Sequence, residues 1–234
     1  MPFSPETAAQ IRAGIRDSWI VALGLIPLGM AFGLLMTQAG FAWWWTPIFS
    51  TVIYAGSMEF LAIDMVLTGV GPATAALTGL MVNFRHIFYG LTFPRHVVRS
   101  PAGRAYVTYA LTDEAYAVAS TRRNLSGPRL VTIVAFIQAV WVIAGIIGAV
   151  AGYVLPEDLE GLDFALTALF AVLAFEAFRA SRDLSAPLIA AALAVVAALV
   201  VPAQMLVATL IAYFLVLLVR FWFPRFDEAL TWRR

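Results

Sequence analysis

The fold of this chain is decided by residues 130–155, which read LVTIVAFIQAVWVIAGIIGAVAGYVL. The stretch carries no charged side chain, and about 20 such residues in a helix cross the roughly 30 Å of hydrocarbon in a bilayer. Within lipid, a helix is the one structure in which a single segment satisfies its own backbone hydrogen bonds. Residues 130–155 therefore predict a transmembrane α-helix.

The composition of the whole chain agrees with a membrane protein. Of its 234 residues, 62% are hydrophobic and 12% are charged, and the mean hydropathy is +0.87. Soluble domains carry about 25% charged residues, so this chain is suited to lipid rather than water. The absence of cysteine excludes disulfides and thiolate metal sites. A net charge of +1 argues against a nucleic-acid partner, and we expect no cofactor.

Further apolar stretches predict an all-α, polytopic bundle of about seven spans, forming one transmembrane domain over residues 1–234. An additional stretch, 104–121, is apolar but contains two acidic residues. The connections between stretches are short, and no soluble appendage is expected. The predicted spans are 18–37, 47–68, 72–93, 130–155, 162–179, 185–201 and 203–222.

Arginine placement predicts the orientation, because arginine concentrates in cytoplasmic loops. In the second half of the chain, arginine-bearing and arginine-free connections alternate. Three groups of arginines fit a cytoplasmic location. They precede the 130–155 span, follow residue 178 and end the chain. The N-terminal arginines fit the same side. We therefore expect both termini to be cytoplasmic.

The first half of the chain conflicts with this rule. Three full crossings after a cytoplasmic N-terminus would place Arg95, Arg99 and Arg104 outside. The conflict disappears if 47–68 or 104–121 is a broken or re-entrant helix that does not cross. Broken helices at membrane depth are tolerated only where they line a cavity or are buried in protein, so the conflict itself indicates a site.

Polar residues inside apolar stretches are the candidate functional groups, because a mid-membrane Asp or Arg costs about 2.5 to 3.5 kcal/mol. The first cluster is Ser57 and Glu59, beside Gly56. Glu59 is a candidate counter-ion for a substrate ammonium or a candidate protonatable group. The alternative is a neutral, hydrogen-bonded acid at a helix contact.

The second cluster is Asn83, Arg85, His86 and Tyr89. In a helix, Asn83, His86 and Gly90 share one face, and Arg85 and Tyr89 share an adjacent face. Arg85 can bind a substrate carboxylate through two hydrogen bonds, and His86 titrates close enough to neutral pH to carry a proton. The alternative is that Arg85 and His86 reach toward the interface or form an internal salt bridge.

The third cluster is Asp113 and Glu114, which follow Thr112. Adjacent residues of a helix point about 100° apart, so at most one of these acids faces a given cavity. Two interpretations stay open. One acid is the ion-pair partner of Arg85, or it serves the substrate or a proton directly.

Four short motifs carry a resemblance to a known family. They are PLGMAFG at 27–33, STVIYAGS at 50–57, RHIFYG at 85–90 and LTDEAYA at 111–117. In order and spacing, these motifs resemble the AzlC family, the large subunits of two-component branched-chain amino acid exporters. The family commonly has Gln where this chain has Glu59.

The resemblance implies a carrier in the bacterial inner membrane, not an enzyme, that exports valine, leucine, isoleucine or related amino acids such as methionine. It also implies a small, four-span AzlD-type partner subunit. Proton antiport is our hypothesis for the energy source. The expected substrate-binding residues are Ser57, Glu59, Asn83, Arg85 and Tyr89, and the expected proton-coupling residues are His86, Asp113 and Glu114.

Other functional classes compete with this interpretation. An accessory or assembly subunit without its own substrate site is the main alternative, because the family acts as a pair. A membrane-embedded enzyme would need a nucleophile–base pair or a metal trio, which a chain with two histidines and no cysteine supplies poorly. A channel would need a filter motif or a ring of charges, and the sequence shows neither.

Overall fold

The computed structural model describes residues 4–122, 124–155, 171, 175, 183–223 and 227–228. This part of the chain is helical, which confirms the predicted all-α fold. Short 3₁₀ turns lie at Arg95–Val97 and Pro202–Gln204. The helices are α1 (Pro5–Gln38), α2 (Trp45–Val52), α3 (Gly56–Leu67), α4 (Pro72–Val82), α5 (Arg85–Thr92), α6 (Pro101–Tyr109), α7 (Asp113–Ser120), α8 (Gly127–Gly152), α9 (Ser185–Val200) and α10 (Met205–Trp222).

Within the described part, three helices are long and apolar enough to cross a membrane, namely α1, α8 and α10. They correspond to three of the predicted spans. Helix α1 begins well before the predicted residue 18 because Ser4 caps it, its hydroxyl accepting a hydrogen bond from the Thr7 N–H at 3.2 Å. Apart from residues 171 and 175, the predicted span 162–179 and the charged loops that flank it lie outside the described residues.

The chain forms two compact units. The first comprises Met1–Asp64 and Asn83–Glu160, and the second comprises Met65–Val82 and Gly161–Arg234. In the second unit, α10 packs against α4 and α9. Arg220, in the last turn of α10, is buried and donates to Asp183 at 2.8 Å. The candidate groups of the three polar clusters all belong to the first unit.

Three predicted stretches are each interrupted. Breaks are expected in 47–68 and 104–121, and both are found, at Ile53–Ala55 and at Ala110–Thr112. The stretch 72–93 is also interrupted, at Asn83–Phe84, where the sequence did not specifically predict a break. The residue before α5, Phe84, keeps helical dihedrals (φ −54°, ψ −33°). The helical spacing of apolar residues therefore continues across the break, and the sequence pattern does not reveal it.

The first unit is built on a close, parallel contact between α1 and α8. A Cβ atom added to Gly33 would overlap the carbonyl oxygen of Gly145, and one added to Gly148 would overlap that of Met30. Thr37 donates to the Ala149 carbonyl at 2.8 Å. Small residues allow two helix backbones to approach this closely, which is a principal source of helix association in lipid.

Because α1 and α8 are parallel, their ends define two ends of the unit. At the arginine end, Asp17 accepts from Arg129 at 2.6 and 2.7 Å and lies 3.3 Å from Arg122. At the tryptophan end, the Trp43 N–H donates to the Tyr153 hydroxyl at 3.0 Å. The N-terminal half of α1 and the loop before α8 thus lie on one side, as the arginine pattern predicts.

Helices α6 and α7 form a re-entrant hairpin at the arginine end. The turn before α6 lies there, because a Cβ atom on Gly127 would be 2.8 Å from the Val97 carbonyl oxygen. Helix α7 returns to the same end, where Arg122 meets Asp17. The stretch 104–121 therefore enters and leaves on one side, as one of the two proposed solutions requires.

The same geometry places Arg95, Arg99 and Arg104 at the arginine end. The chain passes from Trp43, at the tryptophan end, to Val97, at the arginine end. The three arginines therefore lie at the same end of the first unit as Arg122 and Arg129.

We predict that Gly33→Ala weakens the α1–α8 contact, because the new methyl group has no space between the two backbones. Overpacking of this kind costs about 1–3 kcal/mol or more. The measurement is the midpoint of thermal unfolding of the detergent-solubilised protein, followed by tryptophan fluorescence.

Gly24→Ala is the matched control in the same helix. A Cβ atom at Gly24 meets nothing within 4 Å, so this variant should unfold at or slightly above the native temperature. Equal unfolding temperatures for the Gly33 and Gly24 variants would contradict the proposed role of the contact.

Candidate functional site

The first and third helix breaks meet beside the middle of α8. Tyr109, the last residue of α6, donates its hydroxyl hydrogen to the carbonyl oxygen of Thr51 near the end of α2. Its ring lies 6.2 Å from that of Tyr54, and Gln138 of α8 donates to its hydroxyl at 3.3 Å. Gln138 lies near the midpoint of α8, so the tips of the two broken segments meet at about half the depth of the unit.

The second break joins this region through an ion pair. Arg85 is the first residue of α5, and Asp113 is the first residue of α7. The Arg85 Nε atom lies 2.9 Å from both Asp113 carboxylate oxygens, and its Nη2 atom lies 2.8 Å from Oδ2. The side chains are 40% and 38% exposed, so the pair is accessible. All three breaks therefore converge, and α5 and α7 begin side by side.

His86 lies against the same carboxylate. Its Nδ1 atom is 3.0 Å from the carbonyl oxygen of Asn83, which can only accept, so Nδ1 is assigned the ring hydrogen. Its Nε2 atom is then free to take a proton and lies 3.8 Å from Asp113. Protonation of His86 would thus place a second positive charge beside Asp113.

Beyond the ion pair, α5 and α7 contact each other through a set of side chains that we call the tyrosine ladder, Tyr89, Thr92 and Tyr116. The rings of Tyr89 and Tyr116 stack at 4.4 Å with an interplanar angle of 14°. The hydroxyls of Thr92 and Tyr116 share a hydrogen bond of 2.8 Å. The ladder follows from helical spacing, since residues three or four apart lie on one face.

Glu59 occupies a separate, fully buried pocket in the first turn of α3. Its carboxylate accepts from the Ser50 hydroxyl at 2.7 Å and from Trp141 Nε1 at 3.1 Å. No arginine or histidine forms an ion pair with it in the part of the chain that the structure describes. The buried hydroxyls of Thr46, one turn before Ser50, and of Tyr54 have no hydrogen-bond partner among the described residues.

The structure brings four of the eight predicted site residues into one cluster, namely Arg85, His86, Tyr89 and Asp113. Of the two interpretations for the acids, it shows the ion pair of Asp113 with Arg85. Glu114 follows Asp113 and lies within electrostatic reach of both Arg85 and Tyr54.

Of the remaining three predicted residues, two lie elsewhere and one borders the cluster. Glu59 bonds to α2 and α8, and Ser57 is half-buried beside it in α3. Asn83 lies at the break before α5, and its carbonyl oxygen contacts the His86 ring at 3.0 Å.

Sequence reasoning missed the groups that hold these clusters in place. Gln138 and Trp141 are polar side chains in the middle of the apolar stretch 130–155, and the rule used for the other clusters would have identified them. Tyr54 lies at the first break with φ 42°, which indicates a turn that an uninterrupted helix would not contain.

Comparisons with known proteins identify a family and several relatives. The AzlC protein family matches residues 21–155 of the chain. No solved structure matches the chain with significance.

Three relatives cover most of the chain. The Branched-chain amino acid transport protein AzlC of Bacillus subtilis is 32% identical over 72% of this chain and 69% of its own length. An uncharacterised membrane protein of Haemophilus influenzae is 30% identical over 84% of this chain and 83% of its own length. The inner membrane protein YgaZ of Escherichia coli is 30% identical over 76% of this chain and 77% of its own length.

We predict that the hydrogen bonds of Glu59, rather than its charge, hold α3 against α2 and α8. Glu59→Gln keeps an acceptor for Trp141, so the unfolding temperature should stay close to the native value. Glu59→Leu leaves the Trp141 N–H and the Ser50 hydroxyl without their acceptor, at about 1–3 kcal/mol for each buried group. Thermal unfolding in detergent would measure both variants, and equal losses for Gln and Leu would contradict the prediction.

Proposed function

This chain belongs to the AzlC family, and on that premise we propose that it is the large subunit of a branched-chain amino acid exporter in the inner membrane. The transport function named for the Bacillus subtilis relative supports this proposal. The observation that carries it in the structure is the accessible Arg85–Asp113 ion pair, where three helix breaks converge at half depth. The arginine end is assigned to the cytoplasm because loops rich in arginine stay on that side.

The ion pair matches the charges of an amino acid. A zwitterion can enter between the two side chains, its carboxylate binding the Arg85 guanidinium and its ammonium binding the Asp113 carboxylate. Each charge exchanges one partner for another, so no charge is left unpaired at membrane depth. This exchange of partners avoids the cost of an unpaired charge inside the membrane.

The helix breaks contribute to the same site. Helices α5 and α7 both begin at the ion pair, and the N-terminus of a helix carries roughly half a positive charge. Broken helices in transporters direct such ends at anionic groups of the substrate. The carboxylate of an amino acid at Arg85 would meet both helix ends.

We predict that Arg85→Ala strongly slows transport while the protein stays folded. The measurement is efflux of labelled leucine from proteoliposomes that hold this chain with its proposed small AzlD-type partner. Loss of the guanidinium removes the site for the substrate carboxylate and should reduce the rate at least about tenfold, since charge-assisted hydrogen bonds contribute about 1.5–3 kcal/mol.

Arg95→Ala is the matched control, because Arg95 is an exposed arginine in the turn that follows α5. Native rates in the Arg85 variant would contradict the proposed site. If the native complex moves another amino acid but not leucine, the substrate class is wrong and the carrier survives. If the chain alone and the complex bind no amino acid, the chain is the accessory subunit of the alternative interpretation.

Proton coupling follows from the shared carboxylate. Asp113 can hold either the substrate ammonium or a proton, and the two therefore compete, which is the requirement for antiport. His86 is placed to carry the proton, because its Nε2 atom can take up a proton from water and then pass it to the Asp113 carboxylate, which lies 3.8 Å away. Glu114 lies within electrostatic reach of Arg85 and can share this role.

We predict that His86→Gln separates coupling from binding. The variant keeps Arg85 and Asp113, so exchange of labelled for unlabelled leucine across the membrane should continue. Stimulation of net efflux by an imposed pH gradient should disappear. His96→Gln alters the second histidine, which is exposed and lines the cleft beside Thr92 and Tyr116 rather than the ion pair, so its efflux should keep the stimulation by the gradient whatever its basal rate. A gradient response that survives in His86→Gln would exclude His86 as the proton carrier.

A further inference from the structure

The far end of the α5–α7 pair opens into a cleft of about 500 Å³. Its lining includes Thr92 at the end of α5, Tyr116 and Ser120 on α7, and Arg122 and Asn124 after α7. The cleft lies at the arginine end of the unit, because Arg122 also meets Asp17 there. None of these residues belongs to the Arg85–Asp113 pair.

Arg122 brings a positive charge to the cleft that is only partly neutralised. One carboxylate, Asp17, lies between two guanidiniums, and it holds Arg129 more closely (2.6 Å) than Arg122 (3.3 Å). Arg122 is also the more exposed of the two, at 40% against 19%. Its charge is therefore incompletely neutralised. Ser120 donates its hydroxyl hydrogen to the Tyr116 carbonyl at 2.7 Å, whereas Thr92 and Tyr116 share a single hydrogen bond and therefore keep one hydroxyl hydrogen for a ligand. This combination favours a small anionic group such as a carboxylate.

The tyrosine ladder separates the cleft from the ion pair. Tyr116 lines the cleft and is bonded there to Thr92, while its ring stacks on Tyr89. Along α5, Tyr89 is one turn beyond Arg85, and along α7, Tyr116 is nearly one turn beyond Asp113. A molecule that moves between the two helices from the cleft to the ion pair therefore meets the stacked rings first.

We propose that the cleft is an outer binding site for the carboxylate of the amino-acid substrate, and that the stacked Tyr89 and Tyr116 rings form the gate between this site and the Arg85–Asp113 pair. The inference rests on the proposed transport function. Ring stacking and one neutral hydrogen bond together favour the closed gate by roughly 10- to 100-fold, which thermal motion can overcome.

The experiment uses cysteine accessibility, for which the chain is well suited because it contains no cysteine. Ser120→Cys places a thiol in the cleft, outside the gate. Asn83→Cys places one beyond the ion pair, inside the gate. Each variant is reacted with a membrane-impermeant methanethiosulfonate reagent in inverted vesicles, which expose the cytoplasmic side, and in right-side-out vesicles.

The proposal expects Ser120→Cys to react in inverted vesicles and leucine to slow that reaction. Asn83→Cys should react slowly from the same side, and about ten times faster or more when combined with Tyr116→Ala. Tyr116→Phe keeps the ring and loses the bond to Thr92, so it should give an intermediate rate. Tyr153→Ala, a tyrosine at the tryptophan end, is the matched control and should leave the rate unchanged.

Three results would overturn the proposal. An unchanged Asn83→Cys rate with Tyr116→Ala shows that the rings are not the gate. Protection of Ser120→Cys by anionic lipid but by no amino acid assigns the cleft to lipid headgroups. Reaction of Ser120→Cys from the opposite side reverses the route. Failure of the transport proposal is distinguishable, because leucine efflux would then be absent while the effect of Tyr116→Ala on accessibility remained.

Discussion

The contact of Gly33 with the backbone of Gly145 is the constraint on which the first unit depends. It allows α1 and α8 to lie parallel at backbone distance, and the parallel arrangement brings Asp17 to Arg129 at one end and Trp43 to Tyr153 at the other. In lipid, no hydrophobic effect drives two helices together, so close packing and hydrogen bonds between them must do so. The pair then serves as the surface against which the shorter, broken helices are placed.

The breaks are stable because other parts of the unit satisfy them. An unpaired backbone carbonyl in lipid costs several kcal/mol, and Tyr109 supplies the hydrogen bond that the Thr51 carbonyl would otherwise lack. Trp141 and Ser50 similarly satisfy the Glu59 carboxylate. The three helix breaks meet beside α8, and this arrangement both stabilises the irregular backbone and brings the charged side chains together. The structure and the candidate function therefore depend on the same contacts.

The Arg85–Asp113 pair and the tyrosine ladder together suit a carrier rather than a channel. The pair is electrically neutral without substrate and stays neutral when a zwitterion replaces its internal contact, so loaded and empty states differ little in charge. The ladder adds a barrier of modest size beside the pair. The proposed substrate site at half depth, with a weak barrier on one side, would suit alternating access.

The sequence by itself determined that the chain lies in lipid, that its fold is all-α and where its polar clusters lie. The length of an apolar stretch and the cost of a charge inside the membrane can both be read locally along the chain. The conflict in the arginine pattern even indicated the re-entrant segment at 104–121. Only the tertiary structure decided which groups meet. Asp113 rather than Glu114 pairs with Arg85, and Glu59 bonds to Trp141 instead of joining them. These pairings depend on how broken segments pack against α8, and the spacing of residues along one chain does not contain that information.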